Sequence, residues 1–281
     1  MTTVLDIQRF KDEGRRFAVL TAYDFLSARI LDEAGIPILL VGDSLGMVML
    51  GHPTTLPVTL DDMLHHARAV ARGSRQALLV GDLPFMSYQV STEQAIASAG
   101  RFIQEAGMHA VKLEGGGPVI EITRRLAEIG IPVMGHLGLT PQSVHTMGGF
   151  KVQGKTDAQA ARIMSDAKAL EQAGAFSVVL EGMPSKLANT ITQTLRIPTI
   201  GIGAGPGTDG QVLVLHDMLG LTTGKAPKFV KRYANLAEEI SRAATAYSED
   251  VRTGKFPGPE HEYAANGSAP AKDREEVRYG G

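Results

Sequence analysis

Apolar residues along this chain fall into short continuous runs separated by amphipathic stretches, not into the alternation of a half-exposed sheet. The runs at 17–23, 38–43, 77–82, 110–114, 133–136, 176–181, 198–203 and 212–217 have strand length and read as strands. Continuous apolar strands belong in a parallel sheet covered by helices. Helical patterning fills the gaps at 24–34, 60–73, 91–106, 118–129, 156–173 and 184–195, with Thr59, Ser91 and Thr156 placed as N-caps, and a short helix is expected within residues 1–16. The triplet Gly35-Ile36-Pro37 recurs as Gly130-Ile131-Pro132 and, less closely, as Arg196-Ile197-Pro198, each just before a strand, which marks repeated helix-to-strand junctions. Eight strands alternating with helices predict an α/β protein with a (β/α)8 TIM barrel, whose usual size is about 250 residues. A doubly wound open sheet is the competing architecture, but LTAYDF, where its phosphate-binding turn would lie, has no glycine fingerprint. The barrel with its N-terminal helix is expected over 1–256. From 257 to 281 the chain turns rich in Gly, Pro, Ala and charge, which predicts a flexible C-terminal tail.

The apolar runs end in charge. Asp43, Asp82, Lys112, Glu114, His136 and Glu181 sit at or just past their ends, mostly before Gly, Ser or Pro. In a barrel these ends converge on one mouth, where groups from distant parts of the chain meet. Asp43 and Asp82 each follow Leu-Leu-Val-Gly. As a pair they could hold a hard cation such as Mg²⁺, and singly each could cap the turn that follows. Lys112 and Glu114 are two apart and face the same side of a strand. They could form a structural ion pair, or serve as an anion holder and a metal support near the mouth. His136 is either a hydrogen-bonded core residue or an active-site neighbour. Glu181 closes the otherwise apolar FSVVLE, a setting that suits a general base acting beside a carbonyl. The glycines from Gly201 to Gly207 could line an anion site or merely permit a tight turn. These residues describe a metal-dependent enzyme acting on a small oxo acid, with a barrel mouth that admits an electrophile.

Composition narrows the partners. The 281 residues are 43% hydrophobic, which suits a soluble globule, and no apolar run approaches the ~20 residues of a membrane helix. The N-terminus MTTVLDIQRFKDEGRR lacks an apolar signal core, so a cytoplasmic protein is expected. The chain has no cysteine, so any metal is held by oxygen or imidazole, and neither a thiolate nucleophile nor a disulfide is available. A formal charge of −2 with scattered Lys and Arg gives no footprint for nucleic acid.

The segments Leu20-Thr21-Ala22-Tyr23-Asp24, Val41-Gly42-Asp43-Ser44-Leu45-Gly46, Gly81-Asp82-Leu83-Pro84-Phe85, Lys112-Leu113-Glu114-Gly115-Gly116, Gly135-His136-Leu137-Gly138-Leu139-Thr140-Pro141-Gln142, Leu180-Glu181-Gly182, Ile200-Gly201-Ile202-Gly203-Ala204-Gly205 and Asp209-Gly210-Gln211-Val212-Leu213-Val214 occur in a telling order and spacing. Through them, over roughly residues 3–255, the chain resembles the ketopantoate hydroxymethyltransferase family. The resemblance implies a TIM barrel of the phosphoenolpyruvate/pyruvate superfamily type. It implies transfer of a hydroxymethyl group from 5,10-methylenetetrahydrofolate to 3-methyl-2-oxobutanoate, giving 2-dehydropantoate and tetrahydrofolate in pantothenate biosynthesis, by Mg²⁺-assisted enolisation and aldol-type addition. It further implies Asp43 and Asp82 as Mg²⁺ ligands in contact with substrate, Glu114 in the metal shell, Ser44 and Lys112 on the oxo acid, Glu181 as proton acceptor, His136 as a substrate-side neighbour, and a homodecamer built as a pentamer of dimers. Two other readings stay open: a Mg²⁺-dependent carbon–carbon lyase or mutase on another 2-oxo acid in the same superfamily, whose members typically carry a cysteine-bearing loop, and a non-catalytic metabolite-binding barrel.

Overall fold

The structure is a computed structural model that describes residues 1–222, 224 and 226–263. A first helix, α1 (Val4–Asp12), leads into β1 (Phe17–Thr21). There follow α2 (Phe25–Glu33), β2 (Ile38–Val41), the short α3 (Leu45–Val48), α4 (Leu60–Gly73), β3 (Leu78–Asp82), α5 (Thr92–Gln104), β4 (Ala110–Glu114), α6 (Val119–Glu128) and β5 (Val133–Gly138). The second half runs α7 (Val144–Met147), α8 (Asp157–Gln172), β6 (Ser177–Glu181), α9 (Ser185–Thr194), β7 (Thr199–Ile202), β8 (Gly210–Leu213), α10 (Leu215–Met218) and α11 (Leu236–Arg252). Strands β1 to β8 pair in chain order, all parallel, and β8 returns to β1 to close a barrel.

The expected caps start their helices. Thr59 accepts from the N–H of Asp62 while Asp62 accepts from Thr59, so two otherwise unpaired donors at the start of α4 are satisfied reciprocally. Ser91 and Thr156 accept in the same way at α5 and α8.

The strands carry two apolar faces, as their continuous runs require. Inward residues Val19, Ile38, Leu40, Leu78, Val80, Ala110, Met134, Val179 and Ile200 form one buried cluster, joined by Ile7 and Phe10 of α1. The rings of Phe10 and Phe17 lie 5.9 Å apart. Lys11 pairs with Asp209 at 2.9 Å and Gln8 donates to the Arg196 carbonyl, so α1 closes the end of the barrel where strands begin. Outward residues such as Leu39, Val41, Leu79 and Val111 pack with Leu31, Leu64, Val70 and Phe102 of the surrounding helices.

One element departs from the sequence expectation. The eighth strand is Gly210–Leu213, not 212–217, and the chain then turns into α10. The N–H of Leu215 donates to Thr21 Oγ at 2.9 Å instead of continuing the ladder. The apolar VLVLHD suits a strand and a buried helical turn alike, so periodicity alone misplaces the boundary.

The chain divides into two compact units, the barrel unit to Tyr233 and a second from Ala234 onward. The expected single domain over 1–256 spans both. Within the second unit, α11 has no buried side chain, and Phe256 packs on Tyr247 with ring centroids 5.5 Å apart. Of the tail expected over 257–281, Pro259–His261 forms a single 3₁₀ turn and residues 264–281 lie outside the described residues. Among the described residues no helix is long and apolar enough to cross a membrane.

Candidate active site

Alternation along each strand explains how charge reaches the mouth. Residues two apart share a face, so the inward row of β3 reads Leu78, Val80, Asp82, that of β4 Ala110, Lys112, Glu114, and that of β6 Ser177, Val179, Glu181. Apolar filling thus gives way to charge at the C-terminal end of the barrel. Strand register then sets neighbours side by side: Asp82 with Lys112, Glu114 with His136, and Gly138 with Glu181. Asp43 and Ser44 follow β2 at the same level, and all seven candidate residues line one cavity of about 850 Å³.

Lys112 Nζ lies 2.6 Å from both carboxylate oxygens of Asp82 and 3.8 Å from Glu114 Oε1, with all three residues buried. The backbone N–H of Asp43 donates to Asp82 Oδ2 at 3.3 Å. Burial, reinforced by Asp82 and Glu114, pushes the pKa of Asp43 well above the ordinary carboxylate value. Burial also raises that of Asp82, against the pull of Lys112. Burial disfavours the Lys112 ammonium, but Asp82, Glu114 and Asp43 outweigh it and raise its pKa.

His136 stands between two carboxylates, Nδ1 3.4 Å from Glu114 Oε1 and Nε2 3.2 Å from Glu181 Oε2. Neither nitrogen makes an aligned hydrogen bond, so the attraction is that of an ion pair. Burial works against the imidazolium, yet the two carboxylates prevail and push its pKa up to about 9. In turn, burial of Glu114 is outweighed by His136, Lys112 and the Gln142 N–H, which hold its pKa below the usual value. Glu181 keeps an edge toward the cavity, its side chain 15% exposed against 2% for Glu114.

Several polar groups complete the site without having been singled out as functional from sequence. Gln142, in the turn after β5, donates from Nε2 to Asp43 Oδ2 at 3.0 Å and to the Leu83 carbonyl at 2.9 Å, and its N–H donates to Glu114 Oε2 at 3.0 Å. The Tyr88 hydroxyl donates to Gln142 Oε1 at 2.7 Å. Tyr23 and Ser44 share a hydroxyl–hydroxyl bond of 2.9 Å, which fixes the serine at the cavity floor. Ser44 is implicated by the resemblance alone, because a neutral hydroxyl leaves no mark in the pattern of charge at strand ends. Gln142 ends the stretch 135–142 that contributes to the resemblance, yet a neutral loop residue carries no periodic signal.

The donor set fits a hard cation. Three buried carboxylates, Asp43, Asp82 and Glu114, face two cationic side chains, Lys112 and His136, and burial with the neighbouring Asp82 and Glu114 disfavours the charged form of Asp43, which a bound cation would favour. Among the described residues no three side chains form a finished cage. Mg²⁺ does not require one, since it binds through one or two carboxylates and keeps positions for water and substrate oxygen.

The profile of the ketopantoate hydroxymethyltransferase family matches residues 1–259. The 3-methyl-2-oxobutanoate hydroxymethyltransferase of Syntrophus aciditrophicus (strain SB) is 61% identical over 257 residues, covering 92% of this chain and 94% of its own length. The enzyme of the same name from Syntrophotalea carbinolica is 58% identical over 262 residues, with 93% and 98% covered. Among solved structures, 2,3-dimethylmalate lyase, a PEP mutase/isocitrate lyase superfamily member, matches with a TM-score of 0.59 at 18% identity over 92% of this chain and 93% of its own. A phosphonopyruvate hydrolase complexed with oxalate and Mg²⁺ matches at 0.58 and 13%, over 92% and 93%. At such identities the structural likeness establishes the barrel and nothing finer, whereas the sequence relatives establish more: this chain belongs to the ketopantoate hydroxymethyltransferase family.

Proposed function

We propose that this chain transfers a hydroxymethyl group from 5,10-methylenetetrahydrofolate to 3-methyl-2-oxobutanoate, giving 2-dehydropantoate and tetrahydrofolate in pantothenate biosynthesis. The observation that carries the reading is the placement of Glu181, the most accessible carboxylate of the group, in the same cavity as Asp43, Asp82 and Lys112. Family membership and the name shared by its relatives support the substrate.

Asp43 and Asp82 would hold Mg²⁺ with Glu114 behind them, and the ion when bound would draw electron density from the oxo acid and acidify its C3 hydrogen. Ser44, fixed by Tyr23, binds the substrate carboxylate. Glu181 accepts the C3 proton, and His136 beside it holds the carboxylate in place and steadies its charge. Lys112 stabilises the negative charge that develops on the substrate oxygen. C3 then bonds to the methylene carbon of the carrier while both of that carbon's bonds to nitrogen break in turn; water supplies the hydroxyl group, and the C3 proton with the remaining water proton ends on the two freed nitrogens of tetrahydrofolate. The family resemblance extends this proposal to a cytoplasmic homodecamer.

The test needs no carrier. Incubation with 3-methyl-2-oxobutanoate and Mg²⁺ in D₂O should exchange the C3 hydrogen, read by NMR as collapse of the methyl doublet. Absence of exchange with any divalent metal would overturn the enzymatic reading in favour of a metabolite-binding barrel.

A further inference from the structure

The cavity at the mouth is larger than a small oxo acid needs. Its 850 Å³ lies in the range of about 300–1,000 Å³ typical of drug-sized ligands. Its lining is zoned. The charged floor lies at the strand ends, while the rim is formed by Phe150, Val152 and Phe229 with Lys151 and Lys228. Phe150, Val152 and Phe229 are 53%, 47% and 38% exposed, so among the described residues nothing covers this apolar surface of the rim. Phe229 is seated by a close approach to Gly203 after β7: a Cβ there would fall 2.7 Å from the ring.

A second cavity of about 510 Å³ adjoins the first, sharing Lys151 and Val152 with it. It also includes Lys155, Gln153, Thr156 and Gln159, and no acidic residue lines it. Among the described residues no carboxylate pairs with Lys151 or Lys155. An apolar, aromatic rim therefore opens onto a cationic exit.

This matches one chemistry: a flat heteroaromatic group with an anionic tail. Resting on the reading above, in which a folate is the second substrate, we propose that Phe150 and Phe229 receive its ring system, and that Lys151 and Lys155 lead its glutamate tail out through the second cavity. The tail then selects for length, and carriers with several γ-linked glutamates bind more tightly than the monoglutamate. Exposed charge pairs contribute a factor of about two to five each, so two lysines give a preference of about four- to twenty-five-fold.

Calorimetry with the full chain tests this without turnover, by comparing tetrahydrofolate with its tetraglutamate. The tetraglutamate should bind at least about fourfold more tightly in low salt, and the gap should shrink as KCl rises. The double variant Lys151→Gln, Lys155→Gln should bring the two dissociation constants together, and Phe229→Ala should weaken both. Equal constants for the unmodified chain would overturn the proposal, as would a gap that survives the double variant. C3 exchange by the same preparation separates the two levels: exchange with no tail preference removes only this inference, whereas no exchange removes the reading beneath it.

Discussion

Gln142 Nε2 holds Asp43 Oδ2 at 3.0 Å across 99 residues of chain, and the same side chain takes the Tyr88 hydroxyl at 2.7 Å. One neutral amide thus fixes the orientation of a buried carboxylate proposed to hold the metal. Gln142→Ala leaves Asp43, the Leu83 carbonyl and Tyr88 short of a partner, which costs about 1–3 kcal/mol for an unsatisfied buried group. If orientation matters, exchange should fall roughly tenfold to a hundredfold. Urea melts and C3 exchange measured side by side check this, and lost stability with full exchange would reduce Gln142 to a structural role.

Asp82 is shared between Lys112, in this structure, and the proposed Mg²⁺. Asp82→Asn removes a ligand charge and leaves the Lys112 ammonium to Glu114 at 3.8 Å and the more distant Asp43. The Mg²⁺ concentration for half-maximal exchange should rise at least about tenfold. In the unmodified chain Mg²⁺ should raise Tm by mass action, and in the variant much less. An unchanged Mg²⁺ requirement would count against Asp82 as a ligand.

Much of this site was legible because two periodicities coincide. The inward row of a strand has a period of two, and Lys112 with Glu114, Val179 with Glu181 and Met134 with His136 all obey it. The same rule puts His136 on the inward face between the strands of Glu114 and Glu181, whereas residue type alone leaves a lone histidine either a core residue or an active-site neighbour. What pattern cannot supply is contact between distant loops. Gln142, Tyr88 and the Tyr23–Ser44 pair are neutral and aperiodic, and only closure of the barrel brings them together. The end of β8 is hidden in the sequence for a different reason: apolar residues serve a strand and a short buried helix equally well.

Asp32, on α2, anchors the turn before β3. It accepts from Ser74 Oγ at 2.6 Å and from the N–H groups of Arg75 at 2.9 Å, Gln76 at 2.9 Å and Ala77 at 2.7 Å. Burial opposes its charge, but these donors outweigh it and lower its pKa. A carboxylate with a depressed folded pKa stabilises the fold above its unfolded value of 3.8, and that stability is lost as pH falls through the folded value. Asp32→Asn should cost about 2 kcal/mol at pH 7, because an amide group would confront backbone donors. The difference from the unmodified chain should narrow below about pH 4. Chemical melts across that window check the sign, and a pH-independent difference would contradict it.

Gly138 ends β5 at φ 95°, and a Cβ there would fall 2.2 Å from the Glu181 carbonyl oxygen and 2.8 Å from Met183 Cε. Because the first contact is backbone, Gly138→Ala must displace the end of β6 that carries Glu181. Gly35 is the control, at φ 79° with nothing within 4 Å of its Cβ position and no place at the mouth. Both substitutions should lose about 1–2 kcal/mol to left-handed strain. Only Gly138→Ala should also lose exchange, by roughly a hundredfold for a shift near 1 Å. Equal exchange in the two variants would show that the β5–β6 junction does not position the base.

Glu181→Gln separates binding from proton transfer. Glutamine keeps the volume at the end of β6 and can still face His136 Nε2, now 3.2 Å from the carboxylate, but it cannot accept a proton at neutral pH. A positioned general base is worth roughly 10²–10⁴ in rate, so C3 exchange should fall by that range while oxo-acid affinity changes little. His136→Asn, which removes the neighbouring cation but leaves Glu181, should retain more exchange than Glu181→Gln does. Full exchange in Glu181→Gln would rule the residue out as base. A deficit larger in His136→Asn than in Glu181→Gln would move the proton-accepting role to the imidazole, whose pKa near 9 leaves it mostly protonated at neutral pH and so poorly suited to the task.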